Sequence, residues 1–149
     1  MEKLLIGGVE TVRLRRIYEA SAEVMFRAWT DPDEFTAWWQ PSPYKTEAVA
    51  MDVRSGGAYR ITMRGPNGES QCIFGNYLAV EKPTRLSMTW SLQGSESDDD
   101  YVAILLLEFN EGLEGTELSL VHDRLPVRSM RMYRAGWLVV LSLLANRVG

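Results

Sequence analysis

The 149-residue chain predicts an α+β fold: an antiparallel sheet with one face covered by a single long C-terminal helix. Three observations carry this reading. From residue 44 to His122 the chain reads as successive β segments with period-two alternation and short, turn-rich connections. From Val127 to about Arg147 the period becomes helical, with Met130, Tyr133, Trp137, Val140, Leu141, Leu144 and Val148 inside roughly a 100° arc. Between an isolated first strand and the β run stand two short segments with good helix-capping residues.

Taken in order, residues 9–18, "VETVRLRRIY", place apolar residues at Val12, Leu14 and then Ile17 among charges, a strand with one wet face. Ser21 caps a first short helix, on which Val24 and Met25 recur at Ala28 and Trp29. Asp31 caps a second, with Pro32 at its first position and Asp33 and Glu34 complementing the positive end of its dipole. Gln40-Pro41-Ser42-Pro43 ends it. The strand "YKTEAVAMDV" leads to the turn Arg54-Ser55-Gly56-Gly57, and "AYRITMR" leads to Gly65-Pro66-Asn67-Gly68, an Asn-Gly hairpin signal. "SQCIFGNYLAVE" ends at Lys82-Pro83, and "RLSMTWSL" runs into an acidic loop, Glu96 to Asp100, expected only to aid solubility. "YVAILLLEFN" and "TELSLVH" flank a turn carrying Gly112 and Gly115. The first strand and six later ones make seven in meander order, and a helix of about 20 residues, near 30 Å long, can cross such a sheet. Neither repeats nor linkers interrupt the chain, so residues 1–149 are expected to form one domain.

Composition excludes several function classes. The chain is 46% hydrophobic and 24% charged, and its net charge of −4 disfavours nucleic acid as a partner. One cysteine, Cys72, allows no intrachain disulfide and no thiolate metal cluster, and one histidine, His122, allows no histidine-rich metal site. Gly56-Gly57 lacks both dinucleotide-loop and phosphate-loop spacing, so no cofactor is expected. The first twelve residues lack a secretory pattern, and the most apolar run, residues 136–145, is too short to span a bilayer. A cytoplasmic protein without membrane insertion, monomer or homodimer, is the expectation.

The order of elements resembles the START-like, or helix-grip, superfamily. The stretches "TDPDEFTAWWQP", "MDVRSGGAYRITM", "GNYLAVEKPTRLSMTW", "EFNEGLEGTELSLVH" and "AGWLVVLSLL" are together similar to the AHSA1-like group, bacterial relatives of the activator of heat-shock-protein-90 ATPase. The resemblance implies a curved seven-stranded antiparallel sheet gripping the C-terminal helix, with a cavity between them. It does not imply one function, because the superfamily holds carriers, cyclases, hydrolases and co-chaperone domains.

Strand alternation assigns the face toward the helix: Tyr59, Ile61 and Met63; Phe74, Leu78 and Val80; Leu86, Met88 and Trp90; Leu105, Leu107 and Phe109; Leu118, Leu120 and His122. This lining is rich in methionines and aromatics, which suit an adaptable apolar pocket, set against the alternative of a filled core. The expected ligand-binding set is Trp39, Tyr59, Met63, Phe74, Met88, Trp90, His122, Met130, Tyr133 and Trp137, with no catalytic or metal-binding residue assigned. His122 is either a polar anchor or acid/base at the cavity end, or a histidine satisfied within the core. Cys72, in phase with Phe74, is expected to be inward, buried and inert. Arg124, Arg128, Arg131 and Arg134 form a basic strip, a solvated face or a site for anionic groups. Adjacent indoles at Trp38 and Trp39 point about 100° apart on a helix; Trp39, four residues after Phe35 on the same face, is assigned to the cavity mouth, and Trp38 is left as a structural plug or a surface indole. The expected partner is a small apolar or amphipathic ligand. A cyclase- or hydrolase-type enzyme and a domain acting on a heat-shock ATPase are the alternatives that the resemblance leaves open.

Overall fold

The computed structural model describes residues 8–94 and 101–149; the start of the chain and the acidic loop expected at 96–100 lie outside the described residues. Seven strands, β1 (Val9–Tyr18), β2 (Lys45–Met51), β3 (Ala58–Arg64), β4 (Ser70–Glu81), β5 (Arg85–Gln93), β6 (Ala103–Gly112) and β7 (Gly115–Pro126), form one sheet in the order β1-β7-β6-β5-β4-β3-β2. Every pairing is antiparallel, so β2 to β7 are a meander and β1 adds to the β7 edge. Helices α1 (Ala22–Thr30) and α2 (Pro32–Trp38) follow β1, and α3 (Met130–Val148) follows β7 through a 3-10 turn at Val127–Ser129. This is the α+β helix-grip arrangement that the sequence predicts.

Local chemistry explains the short helices. Ser21 Oγ accepts the Val24 N–H at 3.2 Å, and Asp31 Oδ1 accepts the N–H groups of Asp33 at 2.9 Å and Glu34 at 3.2 Å. Each cap contributes about 1 kcal/mol. At the other end of the chain the register organises the core. Leu14, Leu120, Leu107, Leu86 and Val80 form one inward cross-strand row, and Val12, His122, Leu105, Met88 and Tyr77 form the next. Against these α3 lays Tyr133, Trp137, Val140, Leu141 and Leu144, all buried. On the outer face Arg15, Ser119, Glu108, Arg85 and Glu81 make a polar row whose charges alternate in sign on the last three strands. No helix among the described residues is long and apolar enough to cross a membrane.

Four side chains point otherwise than simple alternation predicts. On β4 the inward residues are Ile73 and Tyr77, both buried, whereas Phe74 pairs with Arg60 on the outer face and Leu78 is 48% exposed. The cause is a bulge. Tyr77 pairs with Met88 but Ala79 pairs with Ser87, so Leu78 is an extra residue and the alternation changes phase there. Val80, beyond the bulge, packs against the core as expected. Cys72 is buried, but on the outer side, in phase with Phe74. On β1, Ile17 is 54% exposed and Tyr18 is the buried neighbour, its hydroxyl donating to the Leu141 carbonyl of α3 at 3.1 Å.

The irregularity in β4 also frees main-chain groups. The Asn76 N–H donates to Thr89 Oγ1 at 2.9 Å instead of to a ladder carbonyl. Tyr59, reaching from β3 across β4, donates its hydroxyl to the Thr89 carbonyl at 2.6 Å. Gly75 lies under that reach, and a Cβ there would stand 2.2 Å from the Thr89 oxygen. Gly75→Ala should therefore lower stability by about 1–3 kcal/mol, through strain and loss of the Tyr59 bond. Urea denaturation checks this, and an unchanged midpoint would show that the strand can relax away from the clash.

Candidate functional site

Helix α3 and the β3–β5 part of the sheet do not close on each other completely. A cleft of about 390 Å³ remains between them. Met63, Gln71, Ile73, Trp90 and Leu92 form its sheet wall, and Met132, Tyr133, Ala135, Gly136, Trp137, Val139 and Val140 form its helix wall. Trp39 and the segment Pro41 to Tyr44, which leaves α2, close one end. Met132 is 51% and Val139 45% exposed, so the cleft opens along this edge of α3. Every side chain that the described residues contribute to the lining is uncharged.

The aromatic walls are fixed by packing and by hydrogen bonds among themselves. Trp90 Nε1 donates to the Tyr133 hydroxyl at 3.1 Å, and that hydroxyl also bonds the Tyr101 hydroxyl. Burial pushes the Tyr133 phenol well above its ordinary range, so it stays protonated. Trp39 stacks on Phe35 with centroids 5.1 Å apart and 18° between planes, and meets Trp90 and Trp137 edge-on at 6.0 and 5.5 Å. It is 4% exposed, a wall rather than a side chain at the rim. Trp38 is the core member of the pair, its Nε1 donating to the Ala28 carbonyl at 2.8 Å. Gln71 is different. Its carboxamide makes no hydrogen bond to a described residue, and among the described residues it is the sole polar side chain of the sheet wall.

Of the expected set, Trp39, Met63, Trp90, Tyr133 and Trp137 line the cleft. Tyr59, Met88 and His122 are buried in the closed core, and Met130 packs against its margin at the start of α3. Phe74 lies on the other face of the sheet, for the bulge-related reason given above. Gln71 and Ile73 were missed through the same phase error. Gly136 carries no hydropathy signal, and Pro41 to Tyr44 lie in a loop without periodicity. The basic strip does not reach this site: Arg124, Arg131 and Arg134 are exposed, the latter two on the side of α3 away from the cleft.

His122 is fully buried, ringed by Trp90, Tyr133 and Trp137 at centroid distances of 5.0, 5.0 and 5.6 Å. Trp137 Nε1 donates to His122 Nδ1 at 3.0 Å, so the neutral ring carries its proton on Nε2, which has no partner among the described residues. Burial lowers its pKa from 6.5 to about 3. A ring so enclosed is placed to brace Trp137, not to exchange protons with a ligand. Among the described residues no cluster of three His, Cys, Asp or Glu side chains could hold a metal ion.

Two outcomes follow from this packing. Because its folded pKa lies below the unfolded 6.5, His122 takes up a proton first in the unfolded chain, so stability falls as pH drops below 6.5 toward about 3. Down to about pH 5 the carboxylates are still largely ionised, so the decline there should vanish in His122→Phe, as read by denaturant midpoints across that window. A slope that persisted in the variant would assign it to other groups. Trp39→Ala should cost about 3–5 kcal/mol in equilibrium unfolding, because the indole is core as well as wall; a loss below about 1 kcal/mol would mean that the cluster repacks.

Comparison with known proteins bears on family and fold. The profile described as Activator of Hsp90 ATPase homolog 1-like protein matches residues 19–149. The structure of protein CV1439 from Chromobacterium violaceum is similar with a TM-score of 0.84 at 26% identity, covering 93% of this chain and 96% of that one. Protein NE0264 from Nitrosomonas europaea has a TM-score of 0.79 at 20% identity, covering 93% of each chain. The AHSA1 (SPO3351) protein from Silicibacter pomeroyi has a TM-score of 0.78 at 22% identity, covering 92% of this chain and 96% of that one. No curated protein matches the sequence significantly. With the profile spanning nearly the whole chain, and the sheet, grip and helix in the order described, this protein belongs to the Activator of Hsp90 ATPase homolog 1-like (AHSA1-like) family.

Proposed function

We propose that this protein binds a small, uncharged, mainly apolar molecule in the cleft between α3 and β3–β5. One observation carries the reading: a space of about 390 Å³, within the size range of small-molecule sites, has a lining of aromatic, aliphatic and neutral polar side chains. A charged ligand would leave its hydration shell there without gaining a counter-ion, which is strongly unfavourable. An apolar one would lose only its contact with water, and the walls of Trp39, Trp90, Tyr133 and Trp137 are held by their neighbours before it arrives. Tyr59, Met88 and His122 support the site from beneath as part of the core. Among the described residues of the lining, an acid–base enzyme would have only tyrosine hydroxyls to titrate, and neither that alternative nor a co-chaperone role has an observation of this kind in its favour.

Titration with N-phenyl-1-naphthylamine, a neutral fluorophore that brightens in apolar surroundings, tests the proposal. Saturable binding with a Kd on the order of micromolar is expected, with a rise in apparent stability of about 2.7 kcal/mol at a free concentration one hundred times Kd. Competition by neutral aromatic compounds should exceed competition by their sulfonated analogues. No saturable signal from the fluorophore, together with no thermal shift from neutral aromatic, steroid or long-chain alcohol probes, would sink the reading.

A further inference from the structure

Gly136 lies within the central part of α3, where glycine is less favourable than alanine. Its backbone does not require glycine, since its φ is not positive. Packing does not require it either: a Cβ built on Gly136 meets nothing within 4 Å. The space beside its Cα is cleft. Met132 and Tyr133 stand four and three residues before it, and Val139 and Val140 three and four after, so the nearest neighbours on the helix surface all line the cleft. Gly136 is therefore a notch of bare backbone among four raised side chains. From the sheet side Gln71 brings a carboxamide with no hydrogen-bond partner among the described residues into a wall otherwise made of Met63, Ile73, Trp90 and Leu92.

We propose that Gly136 and Gln71 are the specificity-determining residues of the cleft. The notch seats the face of a flat ring system, and Gln71 reads one hydrogen-bonding group on its rim. The ligand class is then a neutral, flat, cyclic compound carrying a carbonyl or hydroxyl group. A flat body suits the aromatic walls, which stack or meet rings edge-on. A carbonyl or hydroxyl suits the carboxamide, which both donates and accepts. This inference rests on the cleft being a binding site.

The experiment compares 2-acetylnaphthalene with 2-ethylnaphthalene, which has a similar shape and no oxygen, on the wild-type chain and on Gly136→Ala, Gly136→Leu and Gln71→Leu. Calorimetric titration reads affinity, and Tm confirms folding. The wild type should prefer the ketone by roughly three- to tenfold, the range of one hydrogen bond, and Gln71→Leu should erase that preference. Gly136→Leu should weaken both probes by more than about tenfold, with Gly136→Ala intermediate, while Tm stays at or above the wild-type value. If the wild type binds neither probe, nor the fluorophore above, the binding-site reading fails and takes this inference with it. If the wild type binds but Gly136→Leu binds equally well, or the ketone preference is absent or survives Gln71→Leu, the specificity assignment alone is overturned. Should Gly136→Leu fold poorly, Gly136→Ala decides: unchanged affinity for both probes rejects the notch.

Discussion

Trp137 joins the three layers of the molecule. From the middle of α3 its indole donates to His122 on β7, lies tilted against Trp90 on β5 and Trp29 of α1, and meets Trp39 at the end of α2 edge-on. The long helix, the short helical pair and the sheet are thus tied through one side chain. Its hydrogen bond adds to its bulk. An indole N–H buried without an acceptor is costly, and His122 supplies one only while neutral. Burial holds that imidazole neutral, the form that accepts the Trp137 N–H. Because Trp90 and Tyr133 pack around the same imidazole and Trp39 around the same indole, the whole aromatic wall of the cleft inherits its position from this contact.

Much of the fold was legible from periodicity and punctuation. The caps at Ser21 and Asp31, the meander of strands and the helical stripe from Tyr133 to Leu144 each arise from short-range rules that a sequence displays. The errors have a common origin in what alternation cannot see. A one-residue bulge at Leu78 leaves composition unchanged yet reverses the faces of the preceding half of β4. That hid Gln71 and Ile73 and put Phe74 in the wrong set. At the site the limitation was of another kind. Hydropathy registers side chains that fill space, whereas a cleft is defined equally by residues that leave space, such as Gly136, and by loops such as Pro41 to Tyr44 that have no period.

On the binding reading proposed above, stability and recognition fall on different residues of the same cleft. Trp39, Trp90 and Trp137 are 2–4% exposed and hold the core together, so changing them alters everything at once. Gly136 and Gln71 contribute little to that core, which leaves them free to vary without loss of fold.

The ring contacts have one optical consequence. Trp29, Trp38, Trp39, Trp90 and Trp137 are all the tryptophans of the chain, and successive centroid distances of 4.8 to 6.1 Å link them into one group. At such separations excitation passes readily between indoles, and coupled transitions give strong near-ultraviolet circular dichroism. The intrinsic emission of this protein is therefore a local signal from the junction of sheet and helices, where two of those indoles share their surroundings with Tyr133. It reports the state of that junction and is silent about the distant ends of the sheet.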